Sequence, residues 1–280
     1  MGGPRVHILR LVLLVLAALA AIVGGVALLQ RAIRPDTSGS LIAAALRNEG
    51  ARSPTAYEIT AAQHVLEEQL KATPEYTPFF DRLKNTFPSE YESFLAAFAK
   101  RLAIRDEIGN TDVLMAQAVH SLRLSRGILA AKASNSALEH IFELQAAMLR
   151  ALATTDPHLC VDFLNGAEGS GFFEFSEQNR ALVAAMGIAG VDAIHDGEVE
   201  QVERPPPSEM DFEALETALR GRGLDTPEIE ALLDGKMSNP PIPDAKMCRA
   251  GQVYLETLAA LPEASRLRIY GFAVELMARS

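Results

Sequence analysis

Four of the five histidines beyond residue 30 are followed three or four positions later by a carboxylate: His64–Glu68, His140–Glu143, His158–Asp162 and His195–Glu198. On a helix that spacing sets both groups on one face. An imidazole held by a carboxylate is the working unit of general-base chemistry and of the outer shell of a metal site. The same pairs also brace ordinary solvated helices, by a few tenths of a kcal/mol each. A metal needs at least three converging ligands, and the chain has no HExxH and no repeated ExxH. No metal and no cofactor is therefore expected, and His140 with Glu143 and His158 with Asp162 stand as polar pairs to be placed by the fold.

His158-Leu159-Cys160 invites a thiol nucleophile. If Pro157 opens a helix, residues two apart point about 200° from each other, so His158 does not activate Cys160; a histidine distant in sequence would have to. GxSxG, P-loop and SxxK patterns are absent, and the glycines of 166–171 lack the spacing and the preceding strand of a dinucleotide loop. Phe172, Phe173 and Phe175 follow those glycines and read as an apolar latch on a hinge. Cys160 and Cys248 are the only two cysteines. In an oxidising compartment they are expected to pair and to tie the middle of the chain to its C-terminal part. The alternative is that each is simply a small buried apolar side chain.

Charge is unevenly placed. Beyond residue 34 there are 36 acidic and 22 basic residues, a formal balance of −14, which argues against nucleic acid and against broad attraction to anionic lipid. Lys100–Lys132 carries six basic and three acidic residues, whereas Asp192–Asp234 carries thirteen acidic and three basic. Two readings follow: the segments face each other or water, or Arg101, Arg105, Arg123 and Arg126 form a face that docks an acidic partner.

The elements that must position these residues read as helices throughout. Helix formers abound and runs of β-branched residues bounded by turns are scarce, so the fold class is all-α: a multi-helix bundle with two candidate subdomains. Thr55, Asn110, Thr155 or Asp156, and Ser208 stand where helix caps belong, and Pro157 and Pro227 suit first-turn positions. A helix is expected at 41–48, another from about 55 to 72, and a long helical region from Asn110 to Thr154 that Gly127 or Ser134-Asn135-Ser136 divides. Ser176–Ile194, Asp244–Ala260 and Pro262–Ala278 follow. Arg204-Pro205-Pro206-Pro207-Ser208 is a stiff extended break, placing a main helical domain at 41–203 and a C-terminal helical unit, packed on it, at 204–280.

All of this follows Leu11–Leu29, nineteen residues without a charge, twelve of them Leu, Val or Ile. As a helix it would span about 28 Å, near the ~30 Å of a bilayer's hydrocarbon core. Arg5 and Arg10 close the leader of residues 1–10, and Arg31 and Arg34 open a linker at 30–40. An uncleaved single transmembrane anchor is expected. Its competitor is a cleaved signal peptide ending at Ala18-Leu19-Ala20, although the apolar run continues nine residues past that point. The layout suits an N-terminus inside a cytoplasmic (inner) membrane and a body in the periplasm or outside the cell. Small residues repeating every four positions, Ala17-Ala21-Gly25, would also let two anchors pair as a homodimer. Function is then expected to be a membrane-anchored helical protein-interaction or scaffold domain, with a partner protein. An anchored hydrolase around Cys160 or the His–carboxylate pairs is the alternative.

Overall fold

Thr55 accepts from Glu58 N while Glu58 returns a bond to the Thr55 backbone, and this capping box opens α1, Ala56–Lys71. The structure, a computed structural model, describes residues 53–105, 110–165 and 170–279. The leader, the apolar run at 11–29, the linker and the helix expected at 41–48 lie outside the described residues. Among those described, no helix is long and apolar enough to cross a membrane.

Twelve α-helices and no strand make up the described chain. Pro78 and Pro88 sit in the first turns of α2 (Thr77–Thr86) and α3 (Pro88–Arg105), where a missing N–H costs nothing. The Asn110 side chain caps α4, Thr111–Arg126. Both expected division points act: α4 ends before Gly127, a 3-10 helix occupies Gly127–Lys132, and the Ser134 hydroxyl caps α5, Asn135–Thr155. Asp156 caps α6, Pro157–Leu164. Next come α7 (Ser170–Gln178) and α8 (Arg180–Glu200), so the helix expected at Ser176–Ile194 is divided at Asn179 and extends further. The Asn179 side-chain amide donates to the Phe175 carbonyl at 2.9 Å, closing α7 locally where a periodic pattern suggested continuity.

Beyond the proline break, Ser208 and Asp211 form a capping box on α9, Glu209–Gly221. Asp225 and Glu228 form another on α10, Thr226–Asp234. Then α11 (Asp244–Ala260) and α12 (Glu263–Arg279) close the chain. Leu215, Leu219, Leu232, Leu258 and Val274 belong to the same apolar cluster as Phe79, Leu138 and Leu149, so residues on both sides of Pro205–Pro207 share one core. The latch is part of it: Phe172 and Phe175 are buried, and Phe172 stacks on Phe163.

The short 3-10 helix lies between α8 and α12 and touches both extensively. Gly197 on α8 permits that approach, since a Cβ there would stand 1.9 Å from the Leu129 carbonyl oxygen. From α12, Tyr270 stacks face to face on Phe142 of α5 at 3.7 Å between ring centres. The expected disulfide is present: Cys160 of α6 is bonded to Cys248 of α11 with 5.6 Å between Cα atoms, and both residues are buried.

Candidate functional site

The fold distributes the histidine–carboxylate pairs rather than gathering them. His140 and Glu143 meet at 3.5 Å on the exposed face of α5. Glu198 turns to Arg126 instead of His195, whose ring packs edge-on against Phe87. His158 is the best furnished: its Nδ1 meets Asp244 at 2.8 Å, from the first turn of α11, and its Nε2 meets Asp162 at 3.7 Å. The Asp244 hydrogen bond first, and Asp162 after it, hold the imidazole's pKa above its ordinary value. This exposed cluster sits beside the disulfide but gains no nucleophile from it, because the Cys160 sulfur is bonded and fully buried. Among the described residues no three His, Cys, Asp or Glu side chains converge as a metal site requires.

Of the four arginines of the basic segment, the three with described side chains each make contacts of their own. Arg126, at the end of α4, reaches Glu90 near the start of α3 and Glu198 on α8, and lies over the Phe87 ring. Arg101 is eleven residues after Glu90 on α3, about 16 Å along the helix, and stacks over Phe98. Arg123 donates to His120 Nδ1 at 3.4 Å, and burial followed by the Arg123 charge lowers the His120 pKa. The Arg105 side chain lies outside the described set. The basic and acidic segments do face each other, through Arg126–Glu198 and through Lys132–Glu203 at 2.7 Å.

A different set of residues makes the groove of ligand size. It runs between the 3-10 helix, the extended stretch 202–206 and α12, and encloses about 540 Å³. The Val202 N–H donates to the Lys132 carbonyl at 2.9 Å, which fixes the extended stretch against the 3-10 helix. Ile128, half-buried Phe272 and Pro205 supply apolar wall; Lys132, Arg204, Arg268 and Arg279 supply positive charge. Arg268 grips Asp211 with two donors, which ties α12 to the first turn of α9 and holds the Asp211 carboxyl well below the usual carboxylate range. Arg204 passes beside Gly271, its Cδ at ordinary contact distance, 3.4 Å, from where a Cβ would stand.

Arg204 itself crosses to the end of the 3-10 helix. It donates to the Ala131 carbonyl at 3.2 Å, the Ala133 carbonyl at 2.7 Å and Asn135 Oδ1 at 2.8 Å. A guanidinium there satisfies carbonyls that the short helix leaves without partners. Burial pulls the Arg204 pKa down, with Asp196 opposing it. Sequence reasoning took this residue only as the start of the proline break. The available signal was an isolated cation within the acidic Asp192–Asp234 segment.

On the opposite face of α12, Arg266 and Tyr270 border a second cleft of about 410 Å³. It carries both signs, Glu139, Glu143 and Glu256 with Arg150 and Arg266. The groove at Arg204 also contains carboxylates, Glu203 and Glu275, but its four cations outnumber them, whereas acids outnumber cations in the second cleft. Set against protein-family models, curated proteins and solved structures, the chain matches none.

Proposed function

We propose that this chain is a disulfide-braced α-helical protein-interaction domain that is tethered to the cytoplasmic (inner) membrane by Leu11–Leu29, works outside the cytoplasm, and docks its partner in the groove along α12. The observation that carries the reading is that groove. Its volume is that of a recognition pocket, and it sets Phe272 and Ile128 beside arginines; aromatic side chains and arginine are among the types enriched at interfaces. Support for the compartment comes from the Cys160–Cys248 bond, a linkage that persists where thiols are not kept reduced. Bonding of Cys160 also removes the free thiol that the hydrolase reading required of it.

The test is photo-cross-linking in native membranes, with a photoreactive phenylalanine replacing Phe272 in the full chain. A discrete protein adduct is expected from position 272, and none from the same group placed at Tyr57, an exposed position of α1 remote from the groove. Unshifted protein from both positions would overturn the proposal.

A further inference from the structure

Resting on that reading, we infer that the groove receives an acidic peptide segment of the partner, one of whose carboxylates pairs with the Arg204 guanidinium. Three of the four cations in the groove already hold a carboxylate: Lys132 holds Glu203, Arg268 holds Asp211 and Arg279 holds Glu275. Arg204 does not. Its three hydrogen bonds all go to neutral acceptors, two backbone carbonyls and the Asn135 amide. The acid that opposes its desolvation, Asp196, is itself engaged by the Ser134 N–H. Guanidinium stays charged at any physiological pH and has five N–H donors, so two remain after those three bonds. Neutral acceptors therefore orient the group without cancelling its charge.

A carboxylate arriving in the groove would complete that set with charge-assisted hydrogen bonds. Lys132 would assist. Its partner Glu203 is 80% exposed, and a pair that open to water holds the ammonium only weakly. The apolar wall decides between sources of negative charge. A bare anion has nothing to set against Phe272 and Ile128, whereas a segment alternating acidic and apolar side chains fills both parts of the groove. An anionic bilayer or a nucleic acid presents charge over an extended surface and would meet much of a body with a formal charge of −14, whereas a short segment meets only the groove.

The experiment uses the full chain in detergent micelles and fluorescence anisotropy. The probe is a short, end-blocked, fluorescein-labelled peptide that alternates leucine and glutamate, and its comparator carries glutamine for glutamate. Binding of the glutamate peptide about tenfold tighter than the glutamine peptide is expected. Arg204→Gln should abolish that preference, and Lys132→Gln should reduce it severalfold. Because Arg204 also caps the 3-10 helix, each variant is first checked for native helix content; Lys132→Gln removes no bond to a backbone carbonyl and keeps the test usable if Arg204→Gln unfolds. Equal binding of the two peptides, or an undiminished preference in both variants, overturns the inference. So does full displacement of the peptide by millimolar inorganic phosphate, which marks a site for a bare anion. If neither peptide binds while Phe272 still cross-links a protein, the acidic segment is wrong and the interaction reading stands.

Discussion

At Asp112 a carboxylate with no exposed side-chain surface accepts from the Tyr76 hydroxyl at 2.6 Å and from two donors of Arg180. Burial alone would raise its pKa, but Arg180 and Tyr76 outweigh burial and hold it below the ordinary carboxylate value. Asp112→Asn leaves Arg180 without its partner and is expected to lower stability by about 3 kcal/mol in urea unfolding. Because the folded-state pKa is depressed, Asp112 stabilises the fold above its unfolded value near 4, and that contribution disappears as pH falls through the folded value. His158 runs the other way. Its folded pKa is raised, so its bonds to Asp244 and Asp162 contribute fully below about pH 6.5 and are lost as pH rises through the folded value. Wild type should melt above His158→Gln at about pH 5.5, and the two melting temperatures should converge by about pH 9. A gap that is constant with pH would show that the imidazole charge is irrelevant. The pair His158–Asp162 was legible from spacing, but Asp244 was not, because 86 residues separate it from His158 and only the packing of α6 on α11 brings them together.

Among elements, the 3-10 helix decides how α8 and α12 sit. Glycines on α8 give a paired test. A methyl at Gly197 would strike the Leu129 carbonyl and approach the Ala133 nitrogen, backbone atoms that no rotamer change can move aside. Gly197→Ala should therefore cost about 3 kcal/mol and perturb Arg204, which is held by the carbonyls of that same helix. At Gly190 a methyl meets nothing within 4 Å, so Gly190→Ala should gain roughly 0.5–1 kcal/mol from helix propensity. Thermal unfolding of the two variants reads the difference, and equal shifts would contradict the packing. Helix starts were legible because caps are local: Thr55, Asn110, Ser134, Asp156 and Ser208 each accept from a backbone N–H two or three residues ahead. The 3-10 geometry of Gly127–Lys132 was not, since it answers to α8 and α12. Similarly the apolar residues Ile59, Ala62, Val65, Leu66 and Leu70 fall at helical spacing along α1, yet Val65 is 44% exposed because the neighbouring helices bury only Ala62, Leu66 and Leu70.

For the whole molecule the longest covalent constraint is the Cys160–Cys248 bond, with a sequence separation of 88. Closing a loop of that length in the unfolded chain corresponds to about 4.5 kcal/mol in the chain-entropy account. Replacing both cysteines by alanine should remove about that much stability, plus a smaller amount for the lost packing of the buried sulfurs, measured by guanidinium unfolding without reductant. Maleimide labelling of denatured, unreduced full chain from membranes should find no thiol. Two thiols per chain would remove the support for an oxidising compartment, and with it the extracytoplasmic half of the proposed function.

By itself the sequence determined the all-helical class, most helix starts and the paired cysteines as a candidate bond, because periodicity and capping act over a few residues and only two thiols exist to be joined. It also showed a cationic and an acidic segment, since charge balance is readable without coordinates, but their pairing through Arg126–Glu198 and Lys132–Glu203 came from the fold. The groove required the tertiary structure. Arg204 acquires its meaning from carbonyls 71 and 73 residues away in the chain and from carboxylates that, among the described residues, satisfy its three cationic neighbours and not itself. None of those distances is encoded in local spacing; each results from how α8, the 3-10 helix and α12 bury their apolar faces together.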